Sequence, residues 1–429
     1  MKNIQKISGA LILFSFIFAM FGYFFDEKFT MLSLFLIWFG SFLLFFTIKN
    51  RKILNILLVL ALLAFLYAEY IGATIDFKKA FGVNLYLLTL LISVSFLKLV
   101  ATPRKEKVEE LPSGKASFIK TYLSVHLFGS VINLSSVLLV ADKLYKKGQL
   151  TASQVVLLTR AFASDAYWSP FFAAFAAALT YAPKLETYTI IVFGLVLSIL
   201  SFIITYLDVV LDKKFEIDNF YGYPLSLPTL YLPLLLAILV LVTHYFYMDI
   251  KIIILISSFA FIMTLVILPI KKGFNEALKI LKFYIIDDIP KMKNEISLFL
   301  VAGLFGVIVG NILLALHFKL PFAVFDYKVA SIVLLIFIIL AFVGIHPIIS
   351  ISVLGDFFTG ANHTLLAMTF LMSWAATVST SPISGLNLML SARYDCGAKE
   401  IFRLNLVYAT KMYIISVVCL YLLSKFLGI

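Results

Sequence analysis

The chain has 429 residues, of which 62% are hydrophobic and only 14% charged. A mean hydropathy of +1.05 leaves too little polar surface for a water-soluble domain, so composition places it among all-α polytopic membrane proteins. Its net charge of +12 lies in short loops between apolar runs, the pattern that orients membrane helices, and no nucleic-acid partner is expected.

In chain order, residues 7–25 follow Lys2 and Lys6 in the manner of a signal peptide. The run is long and lacks a small-residue cleavage site, so 1–28 reads as an extra N-terminal transmembrane helix. By the ruler of about 20 apolar residues per crossing, further spans fall at 29–48, 53–72, 82–101, 187–207, 228–247, 251–270, 297–318 and 404–427. Two stretches, 117–183 and 328–392, do not fit that ruler. Each is too long for two straight spans and carries polar or helix-breaking residues in mid-run.

The first stretch divides into a re-entrant hairpin at 117–147 and a broken span at 151–183; the second repeats this as 328–358 and 363–392. A kinked helix satisfied by its neighbours is the other reading of either hairpin tip. Residues 29–207 and 228–429 then share one order: scaffold spans (29–101 and 228–318), hairpin, broken span, final span (187–207 and 404–427). Linker 208–227 joins them on the cytoplasmic side. Because the two units start on opposite sides, the expected fold is an inverted-topology repeat of about 11 spans plus two hairpins. Connector 271–296, with Phe274, Leu278, Leu281, Ile285 and Ile289 among lysines, reads as an interfacial amphipathic helix. With the N-terminus cytoplasmic, Lys and Arg fall about three to one on the inner side, as a multi-pass protein of the cell membrane requires.

The chemistry concentrates at the interruptions. Both broken spans contain Ser-Pro, at Ser169-Pro170 and Ser381-Pro382. Serine is a good N-cap and proline suits the first helical position, so each is expected to restart a helix at membrane depth, with Ser169 and Ser381 as caps. Free N–H groups at such a restart favour an anion. Asn133, Ser135 and Ser136 at the first tip, and Ser350 with His346 and Ser352 at the second, are further candidate ligands. Asn387 stands in the second break. Ser164, Asp165, Thr377, Ser379, Thr380 and Ser384 supply the hard oxygens a coupling Na⁺ would need, although small polar residues also hold membrane helices together.

Arg160 and Asp165 are the ionisable residues most exposed to burial in lipid, where charge is expensive. Two readings stand: they pair with each other, or Arg160 meets an anionic substrate and Asp165 a coupling cation. His346 either titrates with coupled protons or is a structural hydrogen-bonding group. Asp142 and Asp356 follow the two tips and are expected near the membrane surface, while Lys98 and Lys411 can snorkel. Cys396 and Cys419 form neither a disulfide framework nor a metal motif. HExxH, GxSxG and P-loop motifs are missing, so the protein is read as no enzyme and as needing no cofactor beyond a possible Na⁺.

Asn133-Leu134-Ser135-Ser136 at the first tip, Ser169-Pro170 at the first break and Ser381-Pro382-Ile383-Ser384-Gly385-Leu386-Asn387 at the second resemble the ion transporter superfamily. That superfamily includes divalent-anion/sodium symporters, citrate and arsenite permeases, and sodium/proton antiporters. His346-Pro347-Ile348-Ile349-Ser350 departs from its usual second tip. The resemblance, which covers about residues 29–427 as architecture, implies a homodimer. It implies a scaffold of simple spans and a sliding transport domain of hairpins and broken spans, with 102–116 and 319–327 as arms. The expected activity is transport of a small anion, a carboxylate or an inorganic oxyanion, coupled to Na⁺ or H⁺, with a Na⁺/H⁺ antiporter as the alternative and an intramembrane or lipid-processing enzyme as the third reading.

Overall fold

The computed structural model describes residues 2–48, 51–101, 111–223, 231–318, 321–322, 324–358 and 360–429. Most of the expected arm 102–116, parts of the arm 319–327, the end of linker 208–227 and the Asp356 side chain lie outside the described residues. The described chain is helical, in the order α1 (Lys2–Phe24), α2 (Glu27–Phe45), α3 (Lys52–Tyr70), α4 (Phe77–Gly82), α5 (Leu85–Phe96), α6 (Lys98–Ala101), α7 (Lys115–Ile132), α8 (Leu134–Tyr145), α9 (Ala152–Ala163) and α10 (Ala173–Tyr181). Then follow α11 (Thr187–Leu211), α12 (Tyr231–Phe246), α13 (Ile252–Lys272), α14 (Phe274–Phe283), α15 (Lys293–Ala315), α16 (Tyr327–Phe342), α17 (Pro347–Leu354), α18 (His363–Thr380), α19 (Gly385–Tyr394) and α20 (Ala398–Phe426).

Among the described residues, eight helices are long and apolar enough to cross a membrane. The protein is therefore described as a multi-pass, all-helical membrane protein. Each stretch that defied the 20-residue ruler is divided into shorter pieces. α7 and α8 part at Asn133, whose φ is +51°; α16 and α17 part at a tip containing Gly344, with φ +101°. Only glycine adopts such a φ without strain, so Asn133 is held there by its surroundings. Pro347 begins α17, where its missing N–H costs nothing.

Local signals set several helix starts. Asp26, Asp326 and Asn362 accept from backbone N–H groups at the first turns of α2, α16 and α18. Thr151 and Gln154 form a reciprocal capping box on α9. Gly273, with φ +81°, ends α13 behind Lys271 and Lys272, which suit the negative end of the helix dipole.

The chain makes two compact units, each drawn from both halves of the sequence. Unit 1 comprises residues 1–100, 236–321 and 348–357; unit 2 comprises 101–235, 322–347 and 358–429.

In unit 1, α3 packs on α15 and α13 packs on α5. If α3 and α5 correspond to α13 and α15, the second span of each half packs on the third span of the other, the exchange a two-fold repeat produces. Small polar residues link the spans, as expected where apolar side chains gain nothing by leaving lipid. Ser15 and Ser33 each donate to the other's backbone carbonyl, at 2.9 and 2.7 Å, and Ser41 and Ser297 meet at 2.9 Å. The expected amphipathic connector is helical, in α14 followed by a π-helical segment, Tyr284–Asp288, that packs on α1. α14 leaves Phe274, Leu278 and Phe283 exposed.

In unit 1, α15 and α17 approach closely. A Cβ at Gly306 would fall 2.5 Å from the carbonyl carbon, carbonyl oxygen and Cβ of Ser352. Gly306→Ala is therefore expected to destabilise the protein by about 2 kcal/mol, since overpacking against backbone has no flexible side chain to yield. Thermal unfolding in detergent measures this; an unchanged midpoint would show that α15 and α17 do not pack so closely.

Candidate functional site

The site lies within unit 2, around its two broken helices. Every residue of α9 from Ser153 to Ala163, and of α18 from Thr364 to Thr380, is buried. A helix apolar on all sides belongs inside a protein, so the polar groups on these two are enclosed by protein and not presented to lipid.

At the first break α9 tightens into a 3₁₀ turn, Ser164–Tyr167, and α10 begins at Ala173. Ser169 is not its cap. The Phe172 N–H donates to the Ser169 carbonyl (3.1 Å), which closes a β-turn over Ser169-Pro170-Phe171-Phe172. The second break does the same: the Ser384 N–H donates to the Ser381 carbonyl at 3.0 Å, and α19 starts at Gly385 with Ser384, not Ser381, as its cap. The reason is the proline. Its fixed φ suits the second position of a β-turn as well as the first turn of a helix, and here the turn wins, moving each restart three residues on.

The freed serine hydroxyls take equivalent partners. Ser169 Oγ donates to the Ser130 carbonyl near the end of α7 (2.5 Å), and Ser381 Oγ to the Ala341 carbonyl near the end of α16 (2.8 Å). Each turn is thus fastened to the helix that precedes the tip in its own half. Asn133 Nδ2 also donates to the Phe171 carbonyl, at a long 3.5 Å. Ser136 Oγ donates to the Asn133 carbonyl (2.9 Å) and Ser135 is half-buried beside it.

In the second break Asn387 Nδ2 donates to the Ser381 carbonyl (2.9 Å), while its buried Oδ1 has no hydrogen-bond partner. Ser384 Oγ donates to the Val378 carbonyl (3.1 Å) and accepts from the Asn387 N–H. Thr377, Ser379 and Thr380 spend their hydroxyl hydrogens on carbonyls of α18 one turn back. Only lone pairs remain on these three hydroxyl oxygens. His346 packs edge-on to Trp374 with ring centroids 5.1 Å apart. Ser350 belongs to unit 1.

Arg160 and Asp165 are not a pair. Residues five apart on a helix point about 140° away from one another, and each finds a different neighbour. Arg160 donates from Nη1 to Asp208 Oδ2 (2.8 Å), from Nε to Asn405 Oδ1 (2.9 Å) and from Nη2 to the Leu404 carbonyl (2.9 Å). Its guanidinium also lies 4.3 Å from the Tyr408 ring centroid. Lys411 Nζ meets the other carboxylate oxygen, Asp208 Oδ1, at 2.5 Å. Asp142, half exposed, takes Arg393 as a two-point partner and accepts from Tyr394 Oη.

Asp165 is fully buried and its neighbour is His126 of α7, with 2.7 Å from Oδ1 to Nδ1. The contact has ion-pair distance, although neither carboxylate oxygen has an aligned hydrogen bond. Nδ1 also lies 2.9 Å from Ser164 Oγ and 3.2 Å from the Ala161 carbonyl, and Trp168 Nε1 donates to Nε2 at 3.2 Å. Asp165 Oδ2 rests on bare backbone: a Cβ at Gly129 would fall 2.2 Å from it and 3.2 Å from Ser136 Oγ. Ser136 from the tip and Asp165 from the break therefore border the same bare patch of α7.

His126 escaped the sequence reading. The signal was present as a polar stripe on an apolar helix, with Tyr122, His126, Gly129, Ser130 and Asn133 recurring at helical spacing on α7. No protein-family model matches this chain, and no curated protein sequence matches it either.

Proposed function

We propose that this protein is a secondary active transporter of a small anion, a carboxylate or an inorganic oxyanion, driven by Na⁺ or H⁺ through elevator-type alternating access. The observation that carries this reading is the matched pair of Ser-Pro turns, each interrupting a buried helix of one half and each fastened to the preceding tip helix. Broken helices at corresponding positions of two halves are the arrangement in which transporters hold substrate. The start of α10 lacks a side-chain cap, which leaves its first N–H groups to a ligand. With Arg160 engaged by Asp208, the anion would be met by the α10 and α19 N-termini together with Asn133, Ser135, Ser136 and Asn387. The resemblance to the ion transporter superfamily supports a homodimer, and the charge asymmetry supports a cytoplasmic N-terminus in the cell membrane.

A Na⁺/H⁺ antiporter is the second reading, favoured by a buried carboxylate, Asp165, that has His126 for a neighbour and no aligned hydrogen bond to either oxygen. Charge movement in proteoliposomes on a solid-supported membrane separates the two, with a pH-sensitive dye read in parallel for electroneutral exchange. A transient that needs a cation gradient together with one of dicarboxylates, citrate, sulfate or arsenite is the expected result. Proton flux with Na⁺ alone would replace it by the antiporter; silence from folded protein under every condition would sink both. Asp165→Asn keeps the side-chain shape and removes the charge. It is expected to lower cation-coupled flux at least about 100-fold, in line with the loss of an essential proton-transfer group, with the unfolding midpoint retained.

A further inference from the structure

An indole N–H donates hydrogen bonds and has no nitrogen lone pair to accept one. Trp168 Nε1 lies 3.2 Å from His126 Nε2, so Nε2 must be the unprotonated, accepting nitrogen. The ring proton is then on Nδ1, the side that faces Asp165 Oδ1, Ser164 Oγ and the Ala161 carbonyl. His126 is thereby held as one neutral tautomer beside Asp165.

We infer that a charged His126 and the Trp168 contact exclude one another, so that Trp168 is the positioning residue through which proton binding at His126 and Asp165 is passed to the Ser169-Pro170 turn. The inference rests on the transporter reading for its purpose, and on donor and acceptor chemistry for its content. An imidazolium has N–H groups at both nitrogens. Formed here, it would set two N–H donors face to face at 3.2 Å, leaving both without an acceptor in a largely buried site.

The indole must then turn away, and its surroundings decide how. On the α11 side there is no room, because a Cβ at Gly194 would already stand 2.8 Å from Trp168 Cβ. On α7, His126 and Ser130 are one helical turn apart and hold consecutive residues, Trp168 by its indole and Ser169 by its hydroxyl. Charging His126 undoes the first fastening and leaves the second, which loosens the turn from one end. Among the described residues, the titratable groups beside His126 are Asp165 on the 3₁₀ turn and Tyr122 on α7, with Tyr408 of α20 beyond Tyr122 and Ser201. The charged Arg160 and Asp208 lie past Tyr408.

The test uses the full chain in lipid nanodiscs with Trp38→Phe and Trp374→Phe, so that Trp168 is the sole tryptophan. Its emission is followed from mildly alkaline to acid pH while ¹⁵N NMR of the His126 ring reports which nitrogen carries the proton. The expected result is a proton on Nδ1 alone at the alkaline end, and an emission change whose midpoint coincides with imidazolium formation. His126→Gln should remove the emission change. Should that variant not fold, Trp168→Phe gives an independent reading, since it should release the ring to the Nε2–H tautomer. A proton on Nε2 at the alkaline end overturns the inference, as does His126 charging with Trp168 emission flat, or His126 staying neutral throughout. None of these readouts needs transport. A protein that shows the coincident change but moves no ion across vesicle walls would keep this inference and lose the transporter reading.

Discussion

Arg160→Gln is expected to lower the stability of the protein by about 4 kcal/mol, in the range found when one partner of a buried ion pair is removed. The Arg160 side chain is 2% exposed and joins three helices. It rises from α9, pairs with Asp208 of α11, and donates to Asn405 and the Leu404 carbonyl of α20. Glutamine cannot span those three acceptors. Asp208 would keep Lys411, but the Asn405 and Leu404 oxygens would lose charged donors. Arg160→Lys should recover little, because a point charge cannot replace a planar fork serving three directions. The Arg160→Gln and Asp208→Asn effects, measured by thermal unfolding in detergent, should fall short of additivity by more than about 1 kcal/mol. Full additivity, or a rise in substrate KM with the unfolding midpoint unchanged, would return Arg160 to the substrate.

Gly194→Ala should cost about 3 kcal/mol, the upper part of the overpacking range. The added methyl would meet the Tyr167 carbonyl oxygen at 2.2 Å and its carbon at 2.8 Å. These are backbone atoms of the 3₁₀ turn and cannot rotate aside. Better helix propensity for alanine offsets about 1 kcal/mol at most, so the sign is set by the clash. Gly385→Ala is the control. There the nearest neighbour is Leu134 Cδ1 at 4.0 Å, and a change within about 0.5 kcal/mol is expected. Equal effects of the two alanines would mean that α11 does not press on the turn. Because Tyr167 and Trp168 sit between Asp165 and the Ser169-Pro170 turn, Gly194→Ala should also disturb the site, read as an altered Trp168 emission.

Much of the fold could be read in the chain. Apolar runs near 20 residues became helices because length and hydropathy are local properties, and the polar breaks near 133, 169, 344 and 381 became interruptions because a proline or a polar cluster acts on its own neighbourhood. The kind of interruption was less legible. Ser-Pro fits both a helix start and a β-turn, and the choice fell to hydrogen bonds made with distant carbonyls, at Ser130 and Ala341. Pairing of charges was not legible at all. Proximity in sequence suggested Arg160 with Asp165, yet helix geometry sends residues five apart in different directions. Their true neighbours, Asp208 and His126, stand 48 and 39 positions away on other helices.

The sequence by itself determined a helical membrane protein with matched interruptions in its two halves, since burial in lipid constrains every backbone group and leaves few alternatives. Tertiary structure alone decided that Arg160 meets Asp208, that Ser384 and not Ser381 caps α19, and that His126 joins Asp165. In each case several acceptors or charges were chemically adequate, and packing of buried helices selected the one that came within reach.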